Sequence, residues 1–487
     1  MRSAYRERLR LPCLGLALAS ILPLLAACRA PPLRVEVPTP AELEWARRDV
    51  AVAWPARDWF RGFGSEELDA LIDRALEANL DLQAAAERVV EADARARQAH
   101  AAILPSVGVA GSDNYLAGHS ANGSYHETDW SALLSASYEI DFWGKNRAKA
   151  NAAGFERLAT RADHDTVMLT TEGGVADTYL QVVSLRERLV TARANVDSAR
   201  QLLAIVQSRF KAGYAAPVDV ANQSGALATL ATTLPQLEQS ETQSLTALAL
   251  LLGQPPEHFD VRAQSLEGLR EPAVAPGLPA ELLRRRPDVA RAEASLAAAH
   301  ADLQAARAAL YPSITLTAAG GVANPAVNAA VNALAGAGPT LNLGAALAQV
   351  VFDGGRLRAQ RDEAAGHEHE LLVGYRSSVL AALVDVENAL SAIARLDAAQ
   401  ADQQQLLAQS ERAYEGARLR YEKGYGDFLS VLEAQRAVFT ARDQFAQYRL
   451  ARLQARVSLC KTLGGGWQVS DIDARSALTA TEPGQQP

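Results

Sequence analysis

The residues of this chain that could perform chemistry are few and widely spaced. Three cysteines and eight histidines occur among 487 residues. We find no glycine-rich phosphate loop, no Gly-x-Ser-x-Gly nucleophile motif and no cysteine–histidine set with metal-ligand spacing. His367 and His369 are two residues apart, so on a helix they diverge and are expected on a solvated face. The sequence therefore argues against an enzyme and predicts no catalytic residue, metal or cofactor.

Cys28 is the cysteine with a reactive context. It follows Leu25-Ala26-Ala27, at the end of a segment with a basic head and an apolar stretch too short to span a membrane. This pattern predicts that residues 1–27 are a secretory signal that is removed. A cysteine directly after leucine and two alanines resembles the bacterial lipobox, whose thiol is acylated; the alternative is an ordinary signal with a chance cysteine. Arg29, in place of the aspartate that retains such lipoproteins in the inner membrane, implies the outer membrane.

The charge of the chain argues against nucleic acid as a partner. Its formal net charge is −8, and removal of four arginines and Glu7 with the signal takes it to −11. Apart from Cys28, only Cys460 then remains, so we expect no disulfide and a small apolar role for Cys460.

Two proline-free runs must organise the rest of the chain. Gly144–Lys211 and 355–423 each predict one very long helix, far beyond the usual three or four turns. Within the second run, apolar residues step by three and four and form a narrow coiled-coil seam: Leu383, Val386, Leu390 and Ile393. The partners of these helices should be other long helices.

The two runs belong to an internal repeat with an offset of 211 residues. Arg209 to Tyr214 aligns with Arg420 to Tyr425, and Gly144 to Arg147 aligns with Gly355 to Arg358. The chain is therefore two copies of one unit.

Each copy also contains a stretch with the period of two that is typical of strands. In the first copy, Trp130 to Phe142 alternates between apolar and polar residues, and a weaker alternation begins at Val107. We expect the polar stretch 119–129 to separate these two strands. The second copy repeats the plan after Pro312, so each copy predicts one β-hairpin embedded between helices.

Shorter helices and linkers complete the plan. Residues 67–103 and 216–252 each predict a helix, and Pro235 should kink the second. The predicted organisation is a lipidated N-terminus and linker at 28–66, repeats at 67–254 and 279–466, a linker at 255–278 and a tail at 467–487. Each repeat reads helix, β-hairpin, long helix, helix.

The apolar hairpin faces need a covering. In a secreted lipoprotein these faces can contact lipid, and aromatic residues at the strand ends suit the interface girdles of membrane barrels. A soluble α+β protein that buries them in a core is the alternative. Four strands cannot close a barrel, and open edges are not tolerated in lipid, so the membrane interpretation requires an oligomer.

Taken together, these segments resemble the TolC-like outer membrane channels of tripartite efflux systems, including the OprM-type lipoproteins. The resemblance covers nearly all of the mature chain; its most specific parts are the Trp59-Phe60 region, Arg285-Arg286-Pro287-Asp288, Asp353-Gly354-Gly355-Arg356 and the paired Arg-aromatic-x-x-Gly turns. It implies a mainly α protein with a membrane β-barrel. Three chains would form a 12-stranded β-barrel and a periplasmic α-helical barrel.

The resemblance also implies partners and sites. The partners are a periplasmic adaptor, an inner membrane RND pump and outer membrane lipid. The adaptor would dock at two helix turns, marked by Arg209, Gly213, Arg420 and Gly424, and a periplasmic gate would use Asp219, Tyr421 and Glu433. Ser430 and Gly426 depart from residues that some family members use to latch this gate, which predicts a weaker latch.

The resulting functional prediction is an exit duct that passively exports drugs or other small toxic molecules. An outer membrane outlet of a type I protein secretion system is the alternative within the channel class. A structural coiled-coil envelope lipoprotein would share the lipobox and the long helices, but it would not need two hairpins with apolar faces.

Overall fold

The computed structural model describes residues 53–120, 123–274, 279–323 and 340–468. Contacts divide the chain into two compact units. The first contains His100–Ala152 and Ala299–Leu372, and the second contains Ala153–Ala298, the helical segment before residue 100 and the chain after Leu372.

The first unit contains one four-stranded antiparallel sheet. Its strands are β1 (Ser106–Ser120), β2 (Gly123–Ile140), β3 (Ser313–Ala323) and β4 (Thr340–Ala348), in the order β1-β2-β3-β4. Strands β2 and β3 pair from Ile140↔Ile314 to Ser131↔Ala323, so the hairpins of the two repeats form one sheet. The sequence predicted the hairpins but not their pairing, because the pairing joins segments almost 200 residues apart.

The first hairpin is longer than predicted. We expected the polar stretch 119–129 to separate the two strands. Most of it is strand instead, because β1 continues through His119 and β2 begins at Gly123. The pairing of Asn114 with Asp129 shows how polar residues continue the ladder. Backbone pairing carries the strands onward, although the apolar alternation has ended.

The predicted helix 67–103 is wrong as a single helix. It consists of α1 (Glu66–Ala78) and α2 (Leu80–Ala101), separated by Asn79 in an extended conformation. The Asn79 side chain accepts a hydrogen bond from the Leu82 amide at 2.9 Å and donates one to the Leu251 carbonyl at 2.9 Å. Asn79 thus ends α1, caps α2 and attaches both to a third helix.

The long helices agree with the prediction to within about one residue. They are α3 (Lys145–Lys211) and α7 (Arg356–Glu422), 67 residues each, and they are followed by α4 (Pro217–Leu251) and α8 (Phe428–Thr462), 35 residues each. Between α4 and β3 lie two shorter helices, α5 (Pro279–Leu283) and α6 (Pro287–Ala308). Among the described residues, no helix is both long enough and apolar enough to cross a membrane.

The core of the second unit forms where the segment before α1 packs against α3. Phe63, Leu68 and Ile72 are completely buried, in a cluster with Tyr179 and Leu180 of α3. The Ser65 hydroxyl accepts a hydrogen bond from the Leu68 amide at 3.2 Å, so Ser65 is the N-cap of α1. Burial of this apolar set holds the N-terminal segment on the long helix.

The Arg285-Arg286-Pro287-Asp288 motif owes its structural importance to Arg286. Its guanidinium donates to Asp288 at 2.7 Å and to Asp385 of α7 at 3.0 Å. It also donates to the Thr462 carbonyl at the end of α8, at 3.2 Å. One arginine therefore joins the start of α6 to α7 and to the end of α8.

Candidate functional site

One face of the sheet is apolar across all four strands, with Asp113, opposite Trp130, as a charged exception. Directly opposed residues of an antiparallel pair share a face, and the register places Val109 opposite Leu134 and Ala318 opposite Leu343. Leu134 is 55 % exposed, Val109 80 % and Leu343 76 %. This apolar face is formed by Val107, Val109, Ala132, Leu134, Ala136, Ile314, Leu316, Ala318, Val322, Leu341, Leu343, Ala345 and Leu347.

The opposite face carries small and hydroxyl-bearing residues. Ser112 and Ser131 form a hydrogen bond of 2.7 Å between their hydroxyls, and Leu133 is the large apolar exception. This polar face is formed by Ser106, Gly108, Ala110, Ser112, Ser131, Ser135, Ser137, Thr315, Thr317, Ala319, Asn342, Gly344 and Ala346. A sheet with these two faces is suited to lipid on one side and water on the other.

The edges of the sheet are open in a single chain. Within the part of the chain that the structure describes, β1 pairs only with β2, and β4 pairs only with β3. Unpaired strand edges have a high free energy in lipid, so a membrane location requires partner strands at β1 and β4.

Aromatic residues gather where the strands meet the helices. The rings of Trp143 and Tyr311 are stacked with centroids 4.6 Å apart, and Phe142 contacts Trp143 edge to face at 4.8 Å. The Trp143 indole donates to the Pro312 carbonyl at 2.8 Å. Such aromatic residues at one end of an apolar sheet face suit a membrane–water boundary.

The two long helices end in turns with the same geometry. Gly213 and Gly424 have φ values of +82° and +83°, in the left-handed region that favours glycine. The Tyr214 amide donates to the Arg209 carbonyl at 2.8 Å, and the Tyr425 amide repeats this bond to Arg420 at 2.9 Å. With these bonds, each glycine acts as the C-cap of its long helix.

The return helices begin with acidic caps that differ between the repeats. At the start of α4, the Asp219 carboxylate accepts a hydrogen bond from the Ala216 amide at 3.0 Å. At the start of α8, Asp427 accepts from the Ser430 amide and hydroxyl, both at 2.8 Å, and these bonds lower the pKa of Asp427. Ser430 therefore takes part in the helix cap in this chain.

Tyr421 lies at the centre of the contact between the two turns. Its side chain is 4 % exposed, and the Arg209 guanidinium lies 4.5 Å from its ring centroid and donates to its backbone carbonyl. Burial raises the pKa of Tyr421, Arg209 opposes this, and the negative charge of Asp219 adds to it. Among the described residues, no hydrogen bond reaches the Tyr421 hydroxyl. The structure thus brings Asp219 near Tyr421 but does not bond the two within one chain.

The remaining predicted site residues lie as follows. Glu433 is exposed on α8, nine residues after Gly424, and Arg420 is exposed at the end of α7. Cys28 falls outside the described residues. In the described part of the chain no group of three or more histidine, cysteine, aspartate or glutamate residues is placed to hold a metal ion.

Sequence reasoning missed two sets of buried polar residues. Gln223 and Gln435 are 0 % and 1 % exposed and join helices of the two repeats. Glu172 is also buried on α3 and accepts a hydrogen bond from the Trp59 indole at 3.1 Å. A single polar residue in a long helical run gives no local sign of burial, so these residues could not be recognised from the sequence.

The fold and the sheet define a class of protein: a protomer with long paired helices and a sheet suited to the lipid–water boundary, as in outer membrane channels. The model of the outer membrane efflux protein family matches residues 71–254 and 278–465, which are most of the chain. The chain belongs to this family.

Individual relatives support this assignment along almost the whole length. The pyoverdine export outer membrane protein OpmQ of Pseudomonas aeruginosa is 42 % identical over 469 residues, covering 93 % of this chain and 97 % of OpmQ. The cation efflux system protein CusC of Escherichia coli is 29 % identical and covers 94 % of this chain and 99 % of CusC.

Solved structures agree with the fold. The outer membrane channel OprN superposes with a TM-score of 0.83 at 26 % identity, covering 91 % of this chain and all of that chain. CusC superposes with a TM-score of 0.77 at 28 % identity, covering 90 % of this chain and 99 % of that chain. These relatives are channels, so the prediction that the chain is not an enzyme is confirmed.

Proposed function

We propose that this chain is the outer membrane exit duct of a tripartite efflux pump that releases small molecules, a class that includes drugs and other toxic compounds. Membership of the efflux family supports the channel class. The observation in the structure that carries the proposal is the sheet with one exposed apolar face and one small, hydroxyl-rich face.

The proposed assembly is a homotrimer, in which the open edges of β1 and β4 find partner strands. Three chains supply twelve strands, and pairing of each β1 edge with a neighbouring β4 edge would close a barrel. The apolar face would then contact lipid, and the polar face would line a water-filled lumen. Mass measurement in detergent should give a trimer, and a stable monomer would contradict the barrel.

The proposed chain organisation follows from the secreted, anchored form. Residues 1–27 are removed, Cys28 carries the lipid, residues 28–66 lead to the fold, and the repeats occupy 67–254 and 279–466. The segments 255–278 and 467–487 are the proposed inter-repeat linker and tail.

The proposed partners of the chain are a periplasmic adaptor and an inner membrane RND pump.

The cargo is proposed to be a small molecule of the kind that OpmQ exports. The OpmQ of Pseudomonas aeruginosa is 42 % identical, whereas the toluene efflux protein TtgF of Pseudomonas putida is 33 % identical and the cation efflux protein CusC is 29 % identical. The polar face offers hydroxyls and backbone-sized side chains and, between Ser131 and Ser137, no charged residue. Such a wall can pass bulky polar cargo without binding it.

The cargo can be tested by replacing opmQ in Pseudomonas aeruginosa with this gene. We expect the replacement to restore pyoverdine export, measured by mass spectrometry of periplasmic and external fractions. Minimal inhibitory concentrations of a drug panel and of toluene should be determined in the same strains. Restored drug or toluene tolerance without pyoverdine export would overturn the cargo assignment but retain the duct.

Adaptor docking is proposed at the two glycine turns. Tyr214 and Tyr425 follow the capping glycines and are 76 % and 82 % exposed, so both turns present an aromatic residue to a partner. The space beside Gly213 and Gly424 is open, with only the end of the Arg209 side chain near the second. Valine at both glycines should therefore disturb the shape of the turn without a steric clash in the bundle.

The matched control for this test is Gly268. It has a φ of +90° and open space around it, so Gly268→Val adds a comparable backbone strain at a site away from the turns. We expect Gly213→Val with Gly424→Val to abolish pyoverdine export and adaptor cross-linking in the replacement strain, while the trimer persists. Normal export in the double variant, or the same loss in Gly268→Val, would remove the docking role.

A gate is proposed at the same turns, from Asp219, Tyr421 and Glu433. Tyr421 has a buried hydroxyl near an acidic residue, and Glu433 is exposed where three copies could face one lumen. In the assembled trimer, a bond from the Tyr421 hydroxyl to an acidic side chain would complete this gate, and its loss should shift the closed state by about 1–3 kcal/mol. We expect Tyr421→Phe with Asp219→Ala to raise the single-channel open probability, and Glu433→Gln to reduce cation preference. Unchanged currents in both variants would leave the turns without a gating role.

A further inference from the structure

Four polar side chains, one each from α3, α4, α7 and α8, form a largely buried chain of hydrogen bonds behind the turns. Ser198 of α3 and Tyr414 of α7 bond through their hydroxyls at 3.1 Å, and Gln435 of α8 donates to the Tyr414 hydroxyl at 3.3 Å. Gln223 of α4 donates to the Gln435 side-chain oxygen at 3.3 Å and to the Ala199 carbonyl at 3.1 Å. We call these four residues, Ser198, Gln223, Tyr414 and Gln435, the polar layer.

The polar layer interrupts an otherwise apolar part of the bundle. It is surrounded by buried residues that form no directional bonds: Leu202, Val206, Ala226, Val431, Leu432, Val438 and Phe439. Apolar contacts alone fix the position of one long helix along another only weakly, whereas buried polar groups lose their partners when the helices shift. The polar layer is therefore a part of this region that specifies one helix register, in addition to the bond from Arg209 to the Tyr421 carbonyl.

The polar layer is not a product of the internal repeat. At the offset of 211 residues, Gln223 corresponds to Ala434, and Tyr414 corresponds to Leu203. The two repeats thus supply different residues at equivalent positions. The polar layer therefore makes the pair α3 and α4 chemically different from the pair α7 and α8. Two identical copies would lack this difference.

Its position connects it to the turns. Tyr414 precedes Tyr421 by seven residues, two turns along the same face of α7, and Gln223 follows Asp219 by four residues on α4. A shift of α4 or α8 at the polar layer would consequently move the turn residues. Tyr414 of the layer and Tyr421 of the turn belong to the same buried cluster.

The polar layer is also incompletely bonded. The Gln223 side-chain oxygen is buried and accepts no hydrogen bond from any described residue. A buried acceptor without a donor raises the free energy of the arrangement that contains it. A second helix arrangement that admits water to the Gln223 oxygen would satisfy this acceptor, so it can compete with the arrangement in the structure. Two competing arrangements are what a conformational switch requires.

We propose that the polar layer positions the helix turns and holds the resting state of the channel. This proposal rests on the proposed channel function, and it assigns the resting state to residues behind the turns as well as to the turn residues themselves. Breaking the polar layer should release both turns together, since each of the four helices contributes one member.

The test uses Gln435→Met, which keeps the side-chain length and removes the hydrogen bonds. The matched control is Gln403→Met, because Gln403 is also a buried glutamine of the bundle. Among the described residues it bonds to the Ala441 carbonyl alone, which joins α7 to α8. We expect Gln435→Met to raise the resting open probability of the reconstituted trimer about tenfold, and Gln403→Met to leave it within about twofold.

Hydrogen exchange provides a readout that does not depend on conduction. The amides of Tyr214 and Tyr425 bond across the two turns, and we expect both to exchange at least about tenfold faster in Gln435→Met and not in Gln403→Met. If Gln435→Met does not assemble, Tyr414→Phe removes only a hydroxyl from the layer and should act in the same direction.

Three outcomes would overturn the assignment: parent-like exchange at both turns in folded Gln435→Met or Tyr414→Phe, equal effects in the Gln403→Met control, or faster exchange at one turn only. A parent trimer that carries no current would contradict the proposed channel function. In that case the exchange measurement would still decide the role of the polar layer.

Discussion

Replacement of Glu172 by glutamine should change the pH dependence of folding in a predictable direction. The Glu172 side chain is 6 % exposed on α3 and accepts a hydrogen bond from the Trp59 indole at 3.1 Å. Burial raises the pKa of Glu172 from 4.5 to about 7, although the Trp59 bond and the charge of Arg57 oppose it. The folded protein thus favours the protonated carboxyl more than the unfolded chain does.

The sign follows from proton binding in the folded and unfolded states. Between the unfolded pKa of 4.5 and the folded pKa of about 7, the folded protein binds more protons at Glu172 than the unfolded chain does. The free energy of unfolding therefore falls as the pH rises through this window, and the stabilisation by protonation is fully present only below it. The shift corresponds to about 3 kcal/mol at full effect.

Urea unfolding followed by tryptophan fluorescence at pH 5 and pH 8 can measure this. We compare the free energy of unfolding of Glu172→Gln with that of the parent at each pH. The difference should shift in favour of the variant by about 2–3 kcal/mol from pH 5 to pH 8, because the amide of the variant does not titrate. Asp177, whose pKa burial raises to about 6, is present in both proteins, so its contribution cancels. The exposed Glu91 supplies the control Glu91→Gln, which makes the same carboxylate-to-amide change on the surface of a helix. A Glu172→Gln difference that is the same at both pH values would refute the reasoning.

Further predictions concern the membrane sheet, the lipid anchor and the ion pair of Arg286. Leu134→Arg on the apolar face should cost about 2–4 kcal/mol of barrel stability, measured by folding into vesicles, while Ser135→Arg on the polar face should cost much less; equal costs would contradict the assignment of the faces. Cys28→Ser should abolish incorporation of labelled fatty acid more clearly than it reduces efflux, and label on the variant would refute lipidation. Arg286→Met should lower the free energy of unfolding by about 2–3 kcal/mol, less than for a fully buried pair because Asp385 is half exposed, and unchanged thermal unfolding would contradict its joining role.

Features with local causes were predictable from the sequence. The ends of the long helices could be predicted because Gly213 and Gly424 supply the left-handed residue that a helix C-cap needs. The strands could be predicted because apolar and polar residues alternate with the period of the pleat from Trp130 onward. The assignment to an efflux channel family also rested on segments that are visible without coordinates, and the family match confirms it.

Local signals failed where a distant partner decides the outcome. Asn79 breaks the predicted helix because its side chain bonds to Leu251, 172 residues away, in addition to capping α2. Strands β2 and β3 join the hairpins of both repeats through backbone pairing, for which the side-chain pattern gives no register.

The sequence by itself determined the long helices, the presence of a hairpin in each repeat, the duplication of the chain and the family it belongs to, since each depends on residues close together or on whole motifs. Only the tertiary structure decided which polar groups are buried and paired. Gln223 and Gln435 are 212 residues apart, and Glu172 meets Trp59 across 113 residues. Burial depends on packing between segments, so the same glutamine or glutamate in a helical run can be solvated or can hold the bundle, according to what lies opposite.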